Sequence, residues 1–147
     1  MSDFMPWNSK KMSVGVQEID LQHQELVAML NNLYKEMKAA NGGSVYSHTL
    51  AGLFNYASKH FEYEGSLMVK YQYPEIESHL LEHAMLLKDA RKLEEKAFKS
   101  SLELLMFLRM WLTEHILQTD KEFGAFLNTE GVKNLVSPAE TKPHLSI

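Results

Sequence analysis

Two pairs of polar residues interrupt apolar stripes at a spacing of four: His60 with Glu64, and His79 with His83. In a helix, side chains four apart project from one face about one turn apart. Imidazoles and carboxylates on faces otherwise built of leucine and alanine demand packed helices and partners within the core.

The stripes run through four long stretches, and none shows sustained strand-like alternation. The first, about residues 18–39, sets Ile19, His23, Leu26, Leu30, Leu33 and Met37 at spacings of three and four, with Asn41-Gly42-Gly43 as a stop. The second, about 46–70, places Leu53, Ala57, His60, Glu64 and Leu67 on one face. Pro74 lacks an N–H, and Glu75 and Glu77 follow it, a combination suited to the first turn of a third helix. Its stripe is Ile76, His79, His83, Leu86 or Leu87, Ala90 and Leu93, ending near Phe98. The fourth, about 102–123, turns Leu104, Leu108, Trp111, Leu112 and His115 inward. A short apolar piece around Phe126 and a tail containing Pro138 and Pro143 follow.

Four helices of about 20 residues with short connections predict an all-α, up-down-up-down antiparallel four-helix bundle. An N-terminal arm and a short C-terminal helix or tail complete it. The 147 residues read as a single domain, 1–147, with a bundle core of about 18–123.

Composition narrows the chemistry. Without cysteine the chain has no disulfide, iron–sulfur or thiolate zinc site, so any metal must use nitrogen and oxygen. A net charge of −4, with basic pairs as short as Lys10-Lys11 and Arg91-Lys92, provides no footprint for nucleic acid. The N-terminus lacks the apolar run of a secretory signal, and the most apolar segment, 102–112, is short and interrupted by Glu103 and Arg109. No membrane insertion is expected, and the expected location is cytoplasmic.

Five of the seven histidines fall on the inward stripes. One such histidine is ordinarily a core residue bonded to a neighbour. Five, with two acids at similar depth, point instead to metal, because unpaired buried imidazoles and carboxylates are costly. The depth follows from counting at about 1.5 Å per residue along antiparallel helices. His23 lies early in the first helix, His60 and Glu64 past the middle of the second, His79 and His83 early in the third, and His115 late in the fourth. All converge on one layer nearer one end of the bundle. Asp120, five residues after His115, lies about 140° from it on an ideal helix. It reaches a metal if the backbone is locally widened, for instance as a π-bulge, or if its oxygens approach from the side.

Five nitrogens and two carboxylates exceed one coordination sphere but suit two metals when each carboxylate bridges both. The histidines then divide three and two. With one further oxygen bridge from solvent, one ion is six-coordinate and the other keeps a vacancy facing the apolar core. Ligand type alone leaves zinc or manganese open as well.

His23, His60-x-x-x-Glu64, His79-x-x-x-His83 and His115-x-x-x-x-Asp120 resemble the hemerythrin family, specifically its bacterial single-domain form. The resemblance covers nearly the whole chain, from Trp7 and the segment SVGVQEIDLQHQEL to about Phe126. It implies two iron ions (Fe2+/Fe3+) with an oxo or hydroxo bridge. His79, His83 and His115 would hold the fully coordinated iron, His23 and His60 the iron with the vacancy, and Glu64 and Asp120 would bridge. The five-residue spacing before Asp120 is part of the family's motif. Phe61, Leu112 and Ile116 resemble the lining of the family's oxygen pocket, with Trp111 packed near the metal, although all four also read as ordinary core.

The implied function is reversible dioxygen binding for transport, storage or local supply, in a binding protein rather than an enzyme, with weak oxidase or peroxidase side activity left open. The alternatives are an oxygen or redox sensor, or an enzyme acting on peroxide or nitric oxide. An oxygen-consuming or signalling protein partner stays open. Carboxylate-rich di-iron oxidases use paired Glu-x-x-His motifs, a pattern this chain lacks. His48 and His144 are expected at the surface, and Glu62, Glu82 and Glu114 are expected to face outward.

Overall fold

The computed structural model describes residues 3–39, 46–95 and 101–132. The Asn41-Gly42-Gly43 stop, Phe98, the side chain of Leu93, and the tail with Pro138, Pro143 and His144 lie outside the described residues. Among the described residues, all regular structure is helical: α1 (Ser9–Met12), α2 (Gln17–Ala39), α3 (Tyr46–Lys70), α4 (Ile76–Glu95), α5 (Ser101–Glu114), a π turn (His115–Asp120) and α6 (Lys121–Thr129). None of these helices is long and apolar enough to cross a membrane.

The four long helices pack in a ring, with α2 and α4 each against both α3 and α5. Cross-helix hydrogen bonds give their directions. His60 meets Gln22 while Thr49 meets Glu36, so α3 runs against α2. His115 meets Glu82 while Trp111 meets Leu86, so α5 runs against α4. This is the expected up-down-up-down bundle.

The core divides into two apolar clusters with the polar layer between them. Leu26, Leu30, Leu33, Leu53, Leu104, Leu108 and Leu112 fill one end, and Ile19, Leu67, Met68, Phe123 and Leu127 fill the other. Each large side chain so buried contributes about 1.5–3 kcal/mol. That apolar packing holds seven polar groups at one level.

Between α3 and α4 the chain turns on Gln72, whose φ of 55° is left-handed. Tyr73 N–H reaches Met68 C=O and Gln72 N–H reaches Val69 C=O, a Schellman closure that ends α3 before Pro74. The turn lets α4 fold back along α3, so that His79 Nε2 comes within 3.5 Å of Glu64.

The fourth helix departs from expectation. Instead of ending near Phe123 with a separate piece around Phe126, it passes through the π turn and continues as α6 to Thr129. The reason is packing: Phe123 and Leu127 bury against Val14, Val16 and Ile19, so the helix gains by continuing. Contact is closest at Gly124, where an added Cβ would lie 2.1 Å from Val14 carbonyl oxygen. Asn128 Nδ2 donates to Gly15 and Gly124 carbonyls, and Gly15 supplies the φ of 83° that the crossing requires. Earlier in the arm, Met5 and Asn31 exchange two hydrogen bonds, and Phe4 stacks on Tyr34. The arm is thus pinned along the bundle.

Candidate metal centre

All seven candidate donors meet. His23 comes from α2, His60 and Glu64 from α3, His79 and His83 from α4, and His115 and Asp120 open and close the π turn. That turn explains the five-residue spacing. Its wider coil brings residue i+5 onto the face of residue i, and His115 Nε2 stands 2.7 Å from Asp120 Oδ2.

The layer is dry. His23, Glu64 and Asp120 are 0% exposed, and no other member exceeds 4%. Glu64 faces every imidazole: His83 at 3.0 Å, His60 at 3.2 Å, His79 at 3.5 Å, His115 at 3.7 Å and His23 at 3.9 Å. Asp120 faces His23 and His115 at 2.7 Å and His79 at 3.1 Å. The donors form two overlapping groups, each with its ligand atoms within 4.8 Å of one another. His23 and His60 belong only to one, His79 and His83 only to the other, and Glu64, His115 and Asp120 to both.

Nε2 of His60, His79, His83 and His115, both Glu64 oxygens and Asp120 Oδ1 are buried without a hydrogen-bond partner. Lone pairs in such number, aimed at one another, are stabilised by cations. The residues fit a metal pair.

Electrostatics shape the layer further. Burial pushes the Glu64 carboxyl up, but His60, His115 and His79 outweigh it and hold it well below the usual range. Burial and Glu64 likewise push Asp120 up, and His115 and His23 overcome them. Burial lowers His60, yet Glu64 and Asp120 raise it to about 9, and His79 also reaches about 9 through Asp120 and Glu64 against its burial. Burial leaves His23 and His83 below the ordinary imidazole value.

Metal ligation requires neutral imidazole, so protons on His60 and His79 compete with metal below pH 9. Divalent-metal affinity of the metal-free protein is therefore expected to rise with pH between 6 and 9, about tenfold per unit for each proton released. Calorimetric titration in buffers of different ionisation enthalpy checks this. A pH-independent affinity with no proton release would contradict it.

Two supporting residues lie outside the pattern of ligands expected from the sequence. Gln22 Oε1 accepts from His60 Nδ1 at 2.6 Å, and its Nε2 donates to Glu18 at 3.0 Å. Glu82, expected to face outward, instead turns toward the site: its Oε2 accepts from Thr119 Oγ1 at 2.5 Å and lies 3.4 Å from His115 Nδ1. The signal for Glu82 was present, because three residues after His79 is only about 60° from the ligand face. Gln22 offered none, being buried by the approach of α3. His48 is exposed as expected.

Phe61, Trp111, Leu112 and Ile116 are all buried in the apolar cluster that borders the layer. The Phe61 ring stacks on His83 at 3.9 Å and lies 6.0 Å from Trp111, whose Nε1 donates to Leu86 carbonyl oxygen.

Fold and donors together define a helical bundle with a buried nitrogen and oxygen site able to hold metal. The family model for the hemerythrin HHE cation binding domain matches residues 14–127. The chain belongs to the hemerythrin family.

It is 28% identical to the bacteriohemerythrin of Methylococcus capsulatus, over 84% of this chain and 97% of that protein. It is 27% identical to the bacteriohemerythrin of Clostridium acetobutylicum, over 77% and 94%. A crystal structure of wild-type hemerythrin superposes with a TM-score of 0.76 at 29% identity, covering 83% of this chain and 96% of that one.

Proposed function

We propose that the protein binds dioxygen reversibly at a pair of iron ions and serves as a carrier, store or local supply of the gas. Family membership supports the metal and the gas, and the observation that carries the reading is the meeting of five imidazoles and two carboxylates in one dry layer. In this reading His79, His83 and His115 would hold one ion, His23 and His60 the other, and Glu64 and Asp120 would bridge. The division into three and two would leave one coordination position for a small ligand.

Iron, when bound there, supplies the electrons for reversible reduction of the gas. The chain does the rest. Phe61, Leu112, Ile116 and Trp111 keep bulk water from the open position, which slows loss of reduced oxygen species. Five neutral imidazoles against two carboxylates put less negative charge on the metals than carboxylate-rich sets do. High oxidation states are stabilised less, favouring binding over substrate oxidation. We read residues 1–147 as one domain built for this purpose.

The test is to load iron, reduce without oxygen, admit air and follow the visible spectrum. The expected result is a charge-transfer band that forms in air and fades under argon over repeated cycles. Irreversible oxidation in the first cycle, or steady oxygen consumption with reductant, would overturn the reading.

A further inference from the structure

The ring nitrogens that face away from the metal layer are supported unequally. His60 Nδ1 meets Gln22, a neutral amide, whereas His115 Nδ1 faces Glu82, a carboxylate. No protein group accepts from Nδ1 of His23, His79 or His83 among the described residues. The orientation of the Gln22 amide is fixed by its other neighbour. The Gln22 NH2 group donates to a Glu18 carboxyl oxygen, which leaves the amide carbonyl to face His60. In its neutral, metal-binding form His60 therefore carries its proton on Nδ1 and turns the Nε2 lone pair into the layer. Glu18 is itself secured in the first turn of α2, where the helix N-terminus favours negative charge.

We propose that Gln22 and Glu82 are positioning residues that make the two metal positions electronically unequal. The proposal rests on the ligand assignment above. A carboxylate acceptor polarises the imidazole N–H more than an amide does and makes the ring a stronger donor. The ion on the His115 side then favours the ferric state, and the ion held by His23 and His60 is the more easily reduced. Because Gln22 adjoins His23 on α2, one turn supplies a ligand to that ion and the support for its second ligand. The ion with the open position would thereby have a neutral amide, and no carboxylate, accepting from His60 Nδ1, which favours its return to the ferrous state.

The test uses the iron-loaded full chain, with metal retention under a chelator and spectroelectrochemical midpoints as readouts. Q22E, which places a carboxylate on His60 without changing side-chain length, is expected to retain both ions and lower one midpoint. The expected shift is about tenfold in the ferric to ferrous ratio at fixed potential, or about 59 mV for one electron. E82Q is expected to raise the other midpoint and leave the first unchanged. Q22L is expected to weaken one ion by about 10–100-fold and spare the second. Wild-type midpoints in both Q22E and E82Q would overturn the proposal, as would equal weakening of both ions in Q22L. A wild-type chain that retains fewer than two ions would instead overturn the ligand assignment.

Discussion

Glu64→Gln is expected to destabilise the metal-free protein by about 3–5 kcal/mol and to abolish two-ion loading. Among the described residues, Glu64 is the one carboxylate whose oxygens lie within 4 Å of all five imidazoles. The amide keeps the shape and removes the charge. His60 and His79, both held near 9 largely by Glu64 and Asp120, would lose one of the two charges that compensate them. In the loaded protein a bridging position would be left with one good oxygen donor in place of two. Chemical denaturation of the metal-free variant and metal analysis of the loaded one measure the two effects. A variant as stable as wild type with two ions bound would show that Glu64 does not organise the layer.

Gly124→Ala is expected to destabilise by about 3 kcal/mol for a different reason. Its Cβ would lie 2.1 Å from the Val14 carbonyl oxygen and 2.8 Å from Val14 Cβ, so the arm or α6 must move. For a chain of this size the melting temperature should fall by about 6–12 °C. Gly52→Ala is the control, since the nearest outside atom is the flexible Met29 Cε at 4.0 Å. That helical glycine is expected to gain up to about 1 kcal/mol from the same substitution. Equal melting temperatures for the two variants would contradict the close crossing of arm and helix.

Much of this was legible in the chain because helical periodicity reports which face is buried. Ile19, His23, Leu26, Leu30 and Leu33, and the pairs on α3 and α4, declare their shared face through spacings of three and four. The same rule failed at Asp120, where a 3.6-residue period separates two side chains that the π turn reunites. A local change of helix type carries no apolar pattern of its own, and the family motif supplied what periodicity withheld. It failed again beyond Phe123, where an apparent break in the stripe proved to be a contact with the arm, 113 residues away in sequence between Gly15 and Asn128. Gln22 and Glu82 were hidden for a related reason. Outer support for a ligand depends on which neighbouring helix comes close, and that is settled by packing between helices.

The stoichiometry of metal binding tests the paired site most directly. Metal-free protein titrated with ferrous iron under strict exclusion of oxygen should show a break at two ions per chain. A break at one ion, or no saturable binding, would contradict a paired site built from these seven residues.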